Sequence, residues 1–136
     1  MGVWRPVLVA AGVALAMAPA LSGQEASGGF TVDPTMAKKG QSLWNNRGCV
    51  GCHAVGSKRS GPDLAGVLER RDHDWLRRFL TNPTQMFESD SLARALLAEY
   101  NNTKMPNMRL KTDEIEALLH YIAQETAKIR GASGSE

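Results

Sequence analysis

The sequence has few of the features that mark large, strongly charged or membrane-embedded proteins. Its 136 residues include two cysteines, 6% aromatic residues and a formal net charge of +2. This charge is too small for a nucleic-acid-binding protein, which usually carries a concentrated basic surface. After the first two dozen residues, no run is apolar enough to span a bilayer. Strand-like alternation and internal repeats are also lacking, so the length predicts one domain that is not built from sheets.

The N-terminus has the order of parts found in a secretory signal peptide. Arg5 supplies positive charge, residues 7–17 form an uncharged apolar run, and small residues follow Pro19. We therefore predict a signal peptide over residues 1–23, with cleavage between residues 20 and 26. An uncleaved membrane anchor is the alternative, although the apolar run is shorter than the roughly 20 residues of a membrane span. Either way, we expect the rest of the chain outside the cytoplasm.

The two cysteines lie three positions apart, and a histidine directly follows the second. Two cysteines in an exported protein predict a disulfide by default, but Cys49-Val50-Gly51-Cys52-His53 is the c-type haem attachment pattern. Each thiol adds to a haem vinyl group as a thioether, and the adjacent imidazole binds the iron. A zinc site would need a fourth ligand nearby, and His73 and His120 are distant. The motif therefore predicts one covalently attached haem c per chain, with His53 as the proximal axial ligand.

Helical periodicity and capping residues predict an all-α fold of about four to five short helices. The last helix is the clearest, because Ile115, Leu118, Leu119 and Ile122 follow the helical period. Asn82-Pro83 is expected to end a helix. The predicted helices begin at Asp33-Pro34, at Asp72 or Asp74, at Ser91 and at Thr112 or Asp113, with a short turn between residues 63 and 71.

Composition predicts how the chain divides around these helices. Residues 24–32 are rich in small residues and form a predicted flexible linker, residues 33–130 form the domain, and residues 131–136 form a flexible tail. His73 lies between two aspartates and His120 lies off the apolar face of the last helix, so both are predicted to be solvated.

Five motifs follow one another along the chain: a helix with Gly40 and Trp44, the haem attachment pattern, Gly61-Pro62-Asp63-Leu64, Met105-Pro106, and Tyr121 on the last helix. Taken together, they resemble the small, monohaem, Met/His-ligated cytochrome c family, often called class I. The similarity covers residues 36–129 and includes small bacterial periplasmic members. The resemblance implies the cytochrome c fold, a hydrogen bond from the His53 imidazole to the Pro62 carbonyl, and a contact between Gly40 and Tyr121.

The resemblance also implies a methionine as the distal axial ligand. Met105 matches the family motif, and Pro106 restricts it to an extended backbone that suits a ligand on a loop. A thioether favours ferrous over ferric iron and raises the reduction potential. Met108 is the alternative ligand and Met86 a weaker one, and loop packing alone is the structural alternative for Met105.

Further side chains are candidates for contact with the cofactor. Trp75 has one donor that needs a partner when buried, and the guanidinium groups of Arg70 and Arg71 suit carboxylates, so we predict that they reach the haem propionates. The alternative is a core tryptophan and two solvated arginines. Candidate pocket walls, equally well explained as plain core, are Leu64, Val67, Leu76, Phe79 and Leu80.

Six-coordinate iron has no open position for a substrate, so the predicted function is single-electron transfer and not catalysis. We expect a monomer in the periplasm of a Gram-negative bacterium that docks transiently with respiratory or denitrification-type redox proteins. The alternatives are a docked electron-entry subunit of a larger oxidoreductase, a haem sensor or enzyme with a labile sixth ligand, and a haem-free thiol or zinc protein. Basic residues that could form a docking rim, or simply a mixed surface, are Lys38, Lys39, Arg47, Lys58, Arg59, Lys104, Arg109 and Lys111.

Overall fold

The computed structural model describes residues 1–2 and 29–134, and every regular element in this part is helical. The all-α fold class is therefore confirmed. Apart from its first two residues, the predicted signal peptide lies outside the described residues. None of the described helices is long and apolar enough to cross a membrane. The elements in chain order are α1 (Pro34–Asn46), a 3₁₀ turn (Cys49–Gly51), α2 (Val67–Arg70), α3 (His73–Thr81), α4 (Pro83–Ser89), α5 (Ser91–Glu99) and α6 (Thr112–Ser133).

Acidic side chains set where several helices begin. Asp33 Oδ1 accepts hydrogen bonds from the backbone N–H groups of Thr35 and Met36, at 2.8 and 3.2 Å. The carboxylates of Asp72 and Asp90 accept backbone N–H groups at the starts of α3 and α5 in the same way. Each such cap contributes on the order of 1 kcal/mol to stability. The predicted starts at Asp33 and Asp72 are thus confirmed.

The first and last helices form the most extensive helix pair in the described structure. They cross where Gly40 meets α6, since an added Cβ at Gly40 would lie 2.0 Å from the Ala117 carbonyl oxygen and 2.7 Å from Tyr121 Cβ. The expected contact between Gly40 and Tyr121 is therefore confirmed. One turn further along α1, the Trp44 ring packs on Tyr121 with centroids 5.6 Å apart.

The hydrophobic core lies between this pair and α2 and α3. Leu119 is 1% exposed and Leu118 2% exposed, so the face of α6 that follows the helical period is fully covered. Burial of one such side chain stabilises the fold by about 1.5–3 kcal/mol. The core consists of Trp44, Leu68, Leu76, Leu110, Ile115, Leu118, Leu119, Ile122 and Ala123.

The structure adds one helix that the sequence analysis did not predict, α4. Asn82-Pro83 does end α3, as expected, but Asn82 Oδ1 also accepts the Gln85 N–H at 3.2 Å and Pro83 occupies the first turn of a new helix. Proline lacks an N–H and has a fixed φ, so it both stops one helix and suits the start of the next.

The predicted flexible linker is wrong for its last residues. Phe30 packs against two rings, with centroids 4.7 Å from His120 and 5.3 Å from His73, and Val32 packs against the core. His120 Nδ1 accepts the Asp33 N–H at 3.0 Å, and His73 Nε2 lies 3.0 Å from the Leu68 carbonyl oxygen. Both histidines are half-buried, not solvated as predicted, because the chain before α1 folds back over them.

The last helix also differs from prediction at both ends. Its N-cap is Lys111, not Thr112 or Asp113, and the Lys111 N–H donates to the Glu114 carboxylate at 2.9 Å. The predicted tail at 131–136 is wrong through Ser133, because the helix continues and the Ser133 hydroxyl donates to the Ile129 carbonyl at 3.0 Å. Backbone hydrogen bonds that extend from a buried helix therefore outweigh the low helix propensity of Gly131.

Candidate functional site

The helices enclose an apolar cavity of about 370 Å³, a volume in the range of cofactor sites. Its wall comes from α3 and α6, from single residues of α1 and α4, from α2 and α5, and from the irregular segments before α2 and between α5 and α6. An apolar group bound there would complete the core of this small domain. All five candidate pocket walls line it, namely Leu64, Val67, Leu76, Phe79 and Leu80.

The 3₁₀ turn brings both thiols to this cavity. The His53 N–H donates to the Cys49 carbonyl at 2.9 Å, so the turn is closed by the histidine of the motif. Cys49 is partly buried and Cys52 is exposed, and the two form no disulfide in the described structure. Burial raises the pKa of the Cys49 thiol by desolvation. Two reduced thiols at the edge of an apolar cavity are what attachment to a bound macrocycle requires.

The His53 imidazole lines the same cavity and is oriented by the chain opposite it. Its Nδ1 lies 3.1 Å from the Pro62 carbonyl oxygen. A carbonyl oxygen only accepts, so Nδ1 carries the proton and Nε2 keeps its lone pair. Gly61 lies against the ring, where an added Cβ would be 2.5 Å from Cε1. One imidazole nitrogen is therefore available as a metal ligand.

Two of the three candidate methionine ligands line the cavity. Met105 and Met108 both lie in its wall, on the irregular segment between α5 and α6. Met108 also packs against the hydrophobic core. Met86 is buried and lines a cleft between α3 and α4 instead. The weakest of the three sequence candidates is therefore outside the cavity wall, and the choice lies between Met105 and Met108.

The family model for cytochrome c matches residues 37–126. This range includes the whole cavity wall, the attachment motif at residues 49–53 and Met105-Pro106. The chain belongs to the cytochrome c family. With its helical fold and attachment motif it is a class I c-type cytochrome, and its cofactor is covalently attached haem c. Electron transfer by this haem is the general activity of the family.

Solved structures similar to this cytochrome extend over most of the chain. A cytochrome c from Rhodothermus marinus has 28% sequence identity and a TM-score of 0.68, with 77% of this chain and 89% of that chain covered. An engineered cytochrome c from Rhodothermus marinus, bound to a carbene intermediate (1-ethoxy-1-oxopropan-2-ylidene), has 27% identity and a TM-score of 0.63, with 76% and 88% covered. No curated protein sequence matches the chain at a significant level.

A buried indole without a partner shows that the cavity fits a cofactor with carboxylates. Trp75 lines the cytochrome's cavity, and its Nε1 is buried with no hydrogen-bond partner in the described structure. Buried donors are normally paired. The pKa of the Asp90 carboxyl is lowered mainly by the Ala93 N–H and to a smaller degree by Trp75. Asp90 is thus near the indole, whose Nε1 makes no hydrogen bond in the described structure and fits a carboxylate acceptor.

The two predicted arginines also line the cavity, but part of each guanidinium is used by the backbone. Arg70 donates to the carbonyl oxygens of Ala65 and Asp63, the latter at 3.0 Å, and Arg71 donates to the Arg70 carbonyl at 3.0 Å. A guanidinium has five N–H donors, so these bonds leave donors for a carboxylate. Their first role in the described structure is to hold the chain around α2.

Two residues that shape the site were not predicted from the sequence. Gly61 was noted only as part of a motif, yet its lack of a side chain makes room for the imidazole. Asp63 was noted in the same way, yet its carboxylate accepts the N–H groups of Gly56 and Ala65, at 2.7 and 2.8 Å. A glycine directly before the acceptor proline is a signal that could have indicated close approach of another group.

Proposed function

We propose that this cytochrome carries single electrons between redox proteins outside the cytoplasm. Cys49 and Cys52 would attach haem c as thioethers, and His53 and Met105 would be its iron ligands. The observation that carries this proposal is the convergence of the attachment turn, an oriented imidazole and a thioether segment on one apolar cavity. When bound, haem c supplies a one-electron Fe(II)/Fe(III) couple. The chain's own residues orient it and exclude water.

Each proposed ligand has a local reason for its role. The Nδ1–H of His53 donates to Pro62, which leaves Nε2 as the proximal ligand and strengthens it as a base. Met105 precedes Pro106 on a segment without regular structure, which suits a ligand held by the backbone. Met108 is the less favoured distal ligand because its side chain already packs against the core.

The propionates are proposed to lie on the α2–α3 side of the cavity. The open Nε1 donor of Trp75 supports this assignment, and the remaining N–H groups of Arg70 and Arg71 suit the same carboxylates. A charge-assisted hydrogen bond to a buried donor is stronger than one between neutral groups, so this side would fix the orientation of the macrocycle.

The optical spectrum of the protein with attached haem c tests the ligands. We expect the wild type to show the weak far-red band of ferric iron bonded to a thioether, and we expect Met105→Ala to lose it. Met108→Ala is the matched control, because it removes a thioether from the same wall, three residues along the chain from Met105, and should keep the band. Loss of the band in Met108→Ala alone would move the ligand to Met108, and absence of the band in wild type would reject the proposed ligation.

Export is proposed from the N-terminal segment, with a signal peptide over residues 1–23 and the domain in the periplasm of a Gram-negative bacterium. The donors and acceptors are proposed to be respiratory or denitrification-type redox proteins that dock transiently with a monomer. Of the eight basic residues considered for docking, three are in ion pairs: Lys39 with Asp113, Arg47 with Glu114 and Lys58 with Glu99. The five other basic residues have no ion pair in the described structure, which supports weak docking onto an acidic partner. They are Lys38, Arg59, Lys104, Arg109 and Lys111.

A second candidate function is a haem sensor or enzyme with a labile sixth ligand. The engineered Rhodothermus marinus cytochrome c bound to a carbene intermediate favours it, because that relative holds a reactive ligand. Five-coordinate iron without added ligand would support the second function, and persistent copurification with a partner would support a docked subunit. We propose the electron carrier over the sensor because two methionine thioethers, those of Met105 and Met108, line the cavity of this chain.

A further inference from the structure

The Pro62 carbonyl that orients His53 is held by hydrogen bonds on both sides. We define the acceptor loop as residues 54–66, between His53 and α2. On one side of Pro62, the Gly61 N–H donates to the Cys52 carbonyl at 2.8 Å, and on the other the Leu64 N–H donates to the Ala54 carbonyl at 3.0 Å. Pro62 has no N–H of its own, so its neighbours must fix the direction of its carbonyl.

The Asp63 carboxylate ties the start of the acceptor loop to its end. Its Oδ1 accepts the Gly56 N–H at 2.7 Å and the Ala65 N–H at 2.8 Å. Gly56 has a φ of +100°, which only glycine adopts readily. Any other residue at this position would strain the backbone that directs this N–H to the carboxylate. The Asp63 carbonyl in turn accepts Arg70 Nη2 at 3.0 Å. Asp63 is thus bonded to the loop's start, its end and α2.

We propose that Asp63 is a positioning residue for the proximal histidine. Its hydrogen bonds to Gly56 and Ala65 fix the acceptor loop and therefore the Pro62 carbonyl, which orients the imidazole. Asp63 thereby sets how strongly the imidazole favours ferric iron. The inference rests on the proposed role of His53 as an iron ligand. A firm Nδ1–H···O bond makes the imidazole more basic, and a more basic ligand stabilises the higher oxidation state. Loosening the acceptor loop should therefore raise the reduction potential.

Two substitutions separate the carboxylate's hydrogen bonds from its charge. Asp63→Asn keeps an Oδ1 acceptor for both N–H groups and removes only the charge, whose loss also favours ferrous iron. Asp63→Ala removes the charge and both hydrogen bonds. The difference between the two variants therefore reports positioning. Asp33→Ala is the matched control, because Asp33 Oδ1 also accepts two backbone N–H groups, at the start of α1.

The measurement is the reduction potential of each variant with haem c attached, together with the NMR shift of the His53 ring N–H. We expect the Fe(II)/Fe(III) ratio at a fixed solution potential to rise at least threefold from Asp63→Asn to Asp63→Ala, roughly 30 mV at 59 mV per decade for one electron. The ring N–H should shift in Asp63→Ala and stay near its wild-type position in Asp63→Asn. Asp33→Ala should lower stability and leave both readouts unchanged.

Equal potentials for Asp63→Asn and Asp63→Ala would overturn the inference and leave a pure charge effect. An equal shift in Asp33→Ala would overturn it in favour of general destabilisation. If Asp63→Ala does not take up haem, Asp63→Ser, which also lacks the charge and keeps only a shorter acceptor, should have a higher potential than Asp63→Asn, whereas a potential and ring signal equal to those of Asp63→Asn would overturn the inference. A wild type without histidine-ligated haem would instead reject the proposed function itself.

Discussion

The α1–α6 pair and the segments that line the haem cavity depend on different kinds of contact. Where α1 crosses α6, Gly40 packs directly against the Ala117 backbone and Tyr121, and Ala37 and Ala117 are fully buried. The cavity wall instead contains the irregular segment that carries Met105 and Met108, and a buried indole donor that makes no hydrogen bond in the described structure. The pair is complete as protein, whereas the wall needs its cofactor.

This difference predicts which property each region controls. Changes where α1 crosses α6 at Gly40 should alter the free energy of unfolding and leave the electronic properties of the haem unchanged. Changes in the cavity wall should alter the spectrum or the reduction potential, with a smaller loss of stability. The variants below test that separation, beginning with the one of largest expected effect.

Gly40→Ala should destabilise the protein by about 3 kcal/mol or more, because its Cβ would fall 2.0 Å from the Ala117 carbonyl oxygen and backbone cannot move aside as a side chain can. That is a large part of the 5–15 kcal/mol that typical domains have. Chemical denaturation of the protein with haem attached measures it. Gly131→Ala is the control, since that helical glycine has nothing within 4 Å and should gain about 0.5–1 kcal/mol.

Gly61→Ala should perturb the axial histidine more than the fold. Its Cβ would lie 2.5 Å from His53 Cε1 and 2.8 Å from Nδ1, so the ring must move. We expect a changed ferric spectrum and reduction potential, with a loss of about 1–3 kcal/mol in unfolding free energy. Gly51→Ala, in the attachment turn with nothing within 4 Å, should leave the spectrum unchanged. A wild-type spectrum in Gly61→Ala would contradict the separation of the two regions.

The structural features that could be predicted from the sequence are those that depend on residues close together along the chain. The Asp33 cap, the helical period of α6 and the attachment motif each depend on a few consecutive residues, and the structure has the first two as predicted. The same local reasoning failed at Asn82-Pro83, because one dipeptide both ends α3 and begins α4. A stop signal therefore carries no information about what starts after it.

The parts that could not be predicted depend on contacts between distant segments. Phe30 looked like part of a flexible linker because its neighbours are small, but its partners are His73 and His120, far along the chain. The role of Asp63 depends on Gly56 through a loop whose path no periodicity indicates. That Met105 and Met108 share one cavity wall could not be predicted either, because the path of their irregular segment depends on its contacts with the rest of the fold.

The smallest predicted effect belongs to the ion pair that joins α3 to α6. Arg77 donates to both Glu116 oxygens, at 2.6 and 3.1 Å, and this bond lowers the pKa of the Glu116 carboxyl, with smaller contributions from His120 and His73. Since the folded pKa is below the unfolded one, the stabilisation is present at neutral pH and is lost as the pH falls through the folded pKa.

Glu116→Gln should therefore lower the free energy of unfolding by about 0.5–1 kcal/mol at neutral pH. It should have no effect once wild-type Glu116 is protonated. The effect is small because the Arg77 and Glu116 side chains are 36% and 28% exposed, so water screens the pair. Unfolding curves at neutral and acidic pH measure the difference. Glu88→Gln, on the exposed side of α4, should show no such pH-dependent gap. The reduction potential should not change in Glu116→Gln, because this pair braces helices and contributes no atom to the cavity wall. A shifted potential would mean that the α3–α6 contact also positions the wall, and the two regions would then have to be treated as one.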